Sequence, residues 1–352
     1  MPLKILFLSH KFYPDIGGIE VSSEILARAF SKAGHEVRLL TWSKDSTGKV
    51  FPFMVCRNPG KRRLFKEHAW AELIFENNPC LRLSWPGIFF GRPSIISLQT
   101  WLFQIGGKID WQHRLKIQWL NRAQKVIACS NAIRKRCWPD SFVIENPYEK
   151  DIFRMLPDVP KTADFVFLGR LVSDKGADLA IQAFHSLFTE RDLQKAVPSN
   201  LLLTIVGDGP EKERLEGMVS ELGLQKNIAF RGSLSGELLV NCLNRHRFIL
   251  VPSLWEEPFG IVVLEGMACG CLPIVSDGGG LPDAVGNAGL TFRRGDVDAL
   301  VSCIRKVLEN PGLEKQLREA ATSHLAAHYP DVISGRYLEI IERAVVNQPS
   351  IS

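Results

Sequence analysis

The eight cysteines at positions 56, 80, 129, 137, 242, 269, 271 and 303 form no CxxC pair and have no histidine cluster beside them, which argues against a zinc site. Cys129 in VIACS and Cys242 in NCLN lie in apolar runs, so the cysteines read as small core residues of a reducing compartment. The chain also lacks a long hydrophobic run: no stretch reaches the ~18–20 apolar residues of a membrane span. Met1-Pro2-Leu3-Lys4 leads straight into a short run, ILFL, without the pattern of a signal peptide. The expectation is a cytoplasmic protein, or one held at the inner face of a membrane by its surface alone. A dominant charge is missing too. The 43 basic and 38 acidic residues leave +5, too little to argue for nucleic acid but compatible with anionic phosphates or a membrane surface. No internal repeat or low-complexity segment breaks the chain.

What is present is alternation. The 352 residues exceed what one core comfortably fills, so two domains are expected. KILFL at 4–8 reads as a strand, and SHKFYPDIGGIE as a glycine-bearing loop. Val21, Ile25, Leu26, Ala29 and Phe30 then fall on one helical face, and EVRLLTW reads as the next strand. Strand, loop, helix and strand make the βαβ unit of a parallel sheet. SIISLQ and KVIACS add strands, whereas 51–92, rich in Pro, Arg and aromatics, yields no assignment. The alternation restarts with FVFLGRL, a helix over 177–188, LLLTIVGDGP, NIAFRG, RFILVPS, a helix over 260–270, and LPIVSD. Prolines and charges at 146–161 mark the break. The expected division is 1–150, 151–330 and a terminal segment, 331–352, whose helix starts near Ser334.

Glu257 stands in a loop after a strand and Glu265 in the following helix, seven residues between them. Ligands of open α/β sheets bind where strands end and helices begin. Carboxylates there can accept hydrogen bonds from sugar hydroxyls, and Gly260 lets a backbone come close. A helix-dipole role is the alternative for either glutamate alone. Arg170 and Lys175 on one strand-end loop suit a diphosphate. Gly17-Gly18 before the first helix suits phosphate, or is merely a turn. The turn Gly207-Asp208-Gly209-Pro210 lacks the third glycine of a dinucleotide fingerprint. Gly278-Gly279-Gly280 would leave backbone amides bare for a ligand, or be a flexible loop.

SLWEEPFGIVVLEGMACGCLPIVSDGGGLPDAV resembles the motif of glycosyltransferase family 4, retaining transferases of the GT-B fold. FLGRLVSDKGADLAIQAF, IVGDGP, the glycine pair at 17–18 and NAGLTFRRGDVDAL match further elements in the expected order, so the resemblance covers most of 4–310. It implies two Rossmann-like, doubly wound domains facing a central cleft. The first would be on the acceptor side, the second would hold a nucleotide-sugar donor, and the terminal helix would return to the first. Arg170 and Lys175 would hold the donor diphosphate, and Gly169 and Gly207 would be among the donor-binding residues. Glu265 would bind the ribose hydroxyls, and Glu257, Pro258, Phe259 and Gly260 would line the sugar. Gly17 and Gly18 would meet the phosphate or sugar. Glu257, Arg170 and Lys175 would be the catalytic groups, with no metal or other cofactor, since the two cations supply the charge and no DxD pair is evident.

One position departs. Many members carry a histidine in a stretch like VVTLH, where this chain has IISLQTW, so Gln99 stands on the acceptor side. Glutamine hydrogen-bonds but does not titrate; His10 and His113 are the candidate substitutes, each also readable as a packed or solvated histidine. The family's PNG segment is Glu145-Asn146-Pro147 here. The reading is therefore a retaining nucleotide-sugar transferase, with a silent nucleotide-sugar-binding subunit or an epimerase as alternatives. The acceptor would be a saccharide or a lipid-linked one. Arg57, Lys61, Arg62, Arg63 and Lys66, with Phe65 and Trp70, suit two readings equally: contact with an anionic membrane, or a solvated surface.

Overall fold

The computed structural model describes residues 2–15, 17–45, 47–103, 111–189, 198 and 200–346. They form two compact units, Met1–Tyr148 with His328–Ser352, and Glu149–Ala327. The chain thus leaves each unit a few residues before the 150 and 330 read from the sequence.

The first unit holds a seven-stranded parallel sheet: β1 (Lys4–Ser9), β2 (Glu36–Thr41), β3 (Met54–Arg57), β4 (Leu73–Asn77), β5 (Ser94–Leu98), β6 (Lys125–Ala128) and β7 (Phe142–Val143), ordered β3-β2-β1-β4-β5-β6-β7. Its helices are α1 (Gly18–Lys32), α2 (Lys61–Trp70), α3 (Leu81–Ser84, continued by a 3-10 turn over Trp85–Phe89), α4 (Trp111–Leu120) and α5 (Asn131–Cys137). The second holds six parallel strands, β8 (Ala163–Leu168), β9 (Leu203–Val206), β10 (Ile228–Phe230), β11 (His246–Val251), β12 (Leu272–Ser276) and β13 (Leu290–Phe292), ordered β10-β9-β8-β11-β12-β13. Its helices are α6 (Ala177–Thr189), α7 (Lys212–Glu221), α8 (Gly236–Asn244), α9 (Ile261–Ala268), α10 (Leu281–Val285), α11 (Val297–Glu309) and α12 (Pro311–Ala327). α13 (Pro330–Val346) belongs to the first unit.

Strands covered on both faces are apolar without alternation, and β1 shows it: everything after Lys4 is buried. Its odd positions Ile5 and Phe7 join a core with Phe30, Phe75 and Tyr337, and its even positions Leu6 and Leu8 pack with Leu40 and Ile74. β4, beside β1 in mid-sheet, comes from the stretch the sequence left unassigned. Its five residues, LIFEN, carry a glutamate and an asparagine that the fold buries, so hydropathy does not reveal it. In the second unit Phe165 stacks on Phe248 at 4.9 Å within the core of that sheet. α13 opens at Pro330, a residue suited to a first helical turn, and so starts before Ser334. It buries Ile333, Tyr337, Ile341 and Ala344, one stripe at helical spacing, in the first unit's core. Ahead of it the His328 ring meets the Glu145 carboxylate at 2.8 Å.

Candidate functional site

Strand order reverses in the second sheet between β8 and β11, and open α/β sheets bind ligands at the carboxyl ends of such a pair. The loops leaving these two strands are fastened together. The Asp174 carbonyl accepts from both Leu254 and Trp255 N–H, each at 2.9 Å. Gly176, at φ 72°, leaves only 2.0 Å between a would-be Cβ and the Pro252 oxygen, so no side chain fits. Fastening brings Lys175 into an ion pair with Glu257, whose same carboxylate oxygen accepts from the Ser253 hydroxyl at 3.1 Å. Lys175 keeps 21% of its side-chain exposure and Glu257 16%, so solvent reaches the pair. Arg170, one strand-end residue away from Gly169, is exposed and has no ion pair among the described residues. Gly207 is glycine because the Gly169 carbonyl would sit 1.8 Å from a Cβ there; its place is beside the Arg170 loop.

The run Gly278-Gly279-Gly280 is neither bare nor loose. A Cβ at Gly279 would fall 2.2 Å from the Glu257 oxygen, one at Gly280 2.3 Å from the Pro258 oxygen, and Gly280 N–H donates to Glu257 O at 2.7 Å. The glycines let two backbones touch. Arg294 closes the other side: its stem lies against Gly278, its N–H donates to Asp277 at 2.9 Å, and its guanidinium pairs with Glu256 at 2.9 Å. The loop carrying Glu257 is thereby held from two directions. Ser253, Glu256 and Arg294 were not legible as site residues; the doubled arginine in FRRGD was the one available signal.

Gly260 caps α9 at φ 110°, and a Cβ there would lie 2.5 Å from a Leu281 methyl. Phe259 is buried at 2%, so its ring belongs to the core and only its backbone can face a sugar; Pro258 is half-buried. Glu265 lies on α9, partly open to solvent, and its side chain has no hydrogen bond or ion pair among the described residues. Packing around its carboxyl, and secondarily the Glu149 charge, push its pKa up to about 7. An unpartnered carboxyl of shifted acidity is a functional candidate.

In the first unit the strand order reverses between β1 and β4. Ser9 and Ser23 hydroxyls meet at 2.9 Å, and the Asn77 amide donates to Ser23 at 2.7 Å and Ser22 at 3.1 Å, a buried network beneath the start of α1. Gly17 is extended, and a Cβ on it would strike the Glu20 carboxylate at 2.6 Å. The Glu20 charge thus already lies at the positive end of α1, which opposes a phosphate at Gly17 and Gly18 unless Glu20 moves aside. Gln99 is 5% exposed and turned inward: its amide donates to Ser97 Oγ at 2.8 Å, which meets Tyr337 Oη at 2.9 Å. His10 is exposed, and loss of surrounding water with the Arg82 and Lys11 charges holds its pKa below the ordinary value; His113 packs edge-on to Phe103.

The basic segment divides. Arg57 donates to Tyr13 O at 2.7 Å and pairs with Asp45, and Arg63 pairs with buried Glu67 at 2.6 Å. Phe65 packs on Trp85 and Trp70 lies under Arg38. Of the five cations, Lys61, Arg62 and Lys66 are exposed, and Arg57 and Arg63 are half-buried. No described helix is long and apolar enough to cross a membrane.

The profile of the family described as Glycosyl transferases group 1 matches residues 149–324, nearly the whole second unit. Among curated relatives, the D-inositol 3-phosphate glycosyltransferase of Acidothermus cellulolyticus is 28% identical over 242 residues, 60% of this chain and 53% of that one. The chain spans about half the length of the curated relatives it matches. Sucrose-phosphate synthase from Thermosynechococcus elongatus superposes with a TM-score of 0.79 at 21% identity, covering 98% of this chain and all (100%) of that one. The Anabaena protein HepE, solved with UDP, gives 0.80 at 18%, covering 97% and 100%. These neighbours share the GT-B fold, with its two parallel-sheet α/β domains. With half its length matched by the family profile and its fold shared throughout, the chain belongs to the group 1 glycosyl transferases.

Proposed function

We propose that this glycosyltransferase moves a sugar from a nucleoside-diphosphate sugar to an acceptor hydroxyl with retention of anomeric configuration, as family 4 enzymes do. The observation that carries the reading is the strand-end cluster at β8 and β11: an accessible Lys175–Glu257 pair, with Arg170 and the Glu265 carboxyl both without an ion pair among the described residues. Arg170 and Lys175 stabilise the diphosphate as the bond to the anomeric carbon breaks. The acceptor oxygen then bonds to that carbon on the same face, and its proton passes to the departing phosphate. Glu265 accepts from ribose hydroxyls, and Glu257 holds Lys175 in place and meets the sugar. The two cations take the role a metal would have, so turnover should survive chelation with EDTA. Dependence on a divalent ion would overturn that part.

The test is thermal stabilisation by a panel of nucleoside diphosphates and their sugars, beside Glu265→Ala. A ligand at 100 times its Kd stabilises by about 2.7 kcal/mol. One base should raise the wild-type Tm and leave the variant unmoved; no shift with any nucleotide rejects the donor assignment. NMR of the product anomer then decides retention. A second reading, donor binding without transfer, draws on the buried, non-titrating Gln99; it predicts stabilisation by the donor with neither transfer nor hydrolysis.

The acceptor on this reading is a saccharide or lipid-linked saccharide in polysaccharide, lipopolysaccharide or glycolipid assembly, met at the cytoplasmic membrane face. Lys61, Arg62 and Lys66 are the cations free to touch anionic lipid. Replacing these three with Ser should lower co-sedimentation with anionic vesicles, and unchanged binding refutes the membrane contact.

A further inference from the structure

The net charge of +5 is not spread evenly over the chain. The first unit carries 24 basic and 14 acidic residues, a balance of +10, and the second 19 and 24, a balance of −5. Such asymmetry points to a polyanionic surface as the partner of the basic half. Part of the charge gathers around an apolar projection. The 3-10 turn Trp85–Phe89 ends in Ile88 and Phe89, which are 47% and 66% exposed. The Phe89 ring is braced on its inner side by Phe65 of α2 at 5.7 Å and by Trp85 at 6.3 Å. Single exposed apolar residues are ordinary on a protein surface, but two adjacent ones on a braced turn form a patch.

Cations flank the turn on both sides. On α2, Lys61 and Arg62 lie one helical turn before Phe65 and Lys66 follows it, all three exposed. On the other side Ile88 shares a cavity wall with Arg92 and Arg122, which are exposed as well. Trp119 lines the same cavity, and one and two turns ahead of it on α4 the apolar Leu115 and Trp111 are exposed. The stretches 61–70, 85–92 and 111–122 contain one acidic residue between them, Glu67, and its carboxyl is buried against Arg38 and Arg63. The patch therefore presents apolar tips and positive charge with no exposed carboxylate of its own elements. A bilayer offers the matching order, anionic head groups above an apolar interior. An acidic protein would need an apolar hole at the centre of its charge to receive the same projection.

We propose that the first unit docks on an anionic bilayer by inserting Ile88 and Phe89 between the head groups, with Lys61, Arg62 and Lys66 on one side and Arg92 and Arg122 on the other meeting the phosphates. This rests on the membrane contact proposed above and adds an apolar anchor and a second group of cations, neither of which that contact requires.

The full chain is mixed with phosphatidylcholine vesicles, with and without phosphatidylglycerol, and binding is read by co-sedimentation at low and high salt. The wild type should bind the anionic vesicles alone, and less as salt rises. Ile88→Ser with Phe89→Ser should weaken that binding tenfold or more while the Tm holds, because both side chains are exposed. Arg92→Ser with Arg122→Ser should weaken it by about fivefold per cation. Phe89→Trp should gain tryptophan quenching by lipids brominated in their acyl chains, beyond that of the wild type, which adsorption by charge alone does not produce. If replacing Lys61, Arg62 and Lys66 weakens binding but replacing Ile88 and Phe89 does not, insertion is overturned and the electrostatic contact stands. A wild type that ignores anionic vesicles overturns both. A concentration-dependent dimer in sedimentation velocity, abolished by Ile88→Ser with Phe89→Ser and found in place of vesicle binding, assigns the patch to a second copy and overturns the proposal as well.

Discussion

Glu265 titrates near pH 7 and a ribose hydroxyl needs its ionised form as acceptor. Nucleoside-diphosphate affinity should therefore rise more steeply between pH 6 and 8 in the wild type than in Glu265→Gln, which keeps only the rise due to the ligand's own terminal phosphate, as read by calorimetry. The same shift acts on stability with a definite sign. The folded chain keeps a proton up to about pH 7 that the unfolded chain releases near 4.5, so stability from this group falls as pH rises through that window. Arg294→Ala tests the loop rather than the charge. It frees Glu256 and the segment ahead of Glu257, and a partly exposed pair contributes at most about 1 kcal/mol. The donor KM should rise severalfold with little change in Tm. Gly279→Ala should be worse on both counts, since it sets a Cβ against the Glu257 carbonyl at a φ of 63°; about 1–3 kcal/mol of strain is expected. None of these roles is visible along the chain. The glutamates and cations could be picked out by type and strand-end position, but Ser253, Glu256 and Arg294 matter through what they touch.

At the scale of elements, strands and helices with regular periodicity were legible and irregular ones were not. α1 and α6 announce themselves by spacing, whereas β4 is too short and too polar to stand out, although it occupies mid-sheet. α13 shows what an element contributes away from the site. Tyr337→Ala removes a fully buried ring and should cost about 3–5 kcal/mol. Tyr337→Phe keeps the ring and loses the hydroxyl's contact with Ser97, about 1 kcal/mol. Denaturant unfolding separates the two, and equal losses would mean that the ring does not fill the core. The basic segment carries a lesson of the same kind. Five cations look alike in sequence, but Arg57 and Arg63 hold acidic side chains of the fold, so replacing all five would confuse destabilisation with lost surface charge.

At the scale of the whole molecule, the second unit is one continuous stretch of chain and the first is not, because it is completed by residues from the far terminus. Ending the chain at Ala327 should unsettle the first unit, whose core loses Ile333, Tyr337 and Ile341, and leave the second intact. Calorimetry should show a low-temperature transition separated from a preserved one; a single unchanged transition would refute that dependence. The family profile ends at residue 324, so it cannot report on this helix.

By itself the sequence determined two parallel α/β units, the strand ends where chemistry collects, and the family, because apolar periodicity and the run from Ser253 to Val285 are local properties. Packing in three dimensions settles which charges are spent and which are free: Lys175 engaged with Glu257, the Arg170 and Glu265 side chains without an ion pair among the described residues, Glu20 lying over Gly17, and Gln99 turned inward. The reason is physical. Pairing, desolvation and close backbone approach depend on neighbours distant in sequence, and the identity of a residue does not reveal its neighbours until the chain is packed.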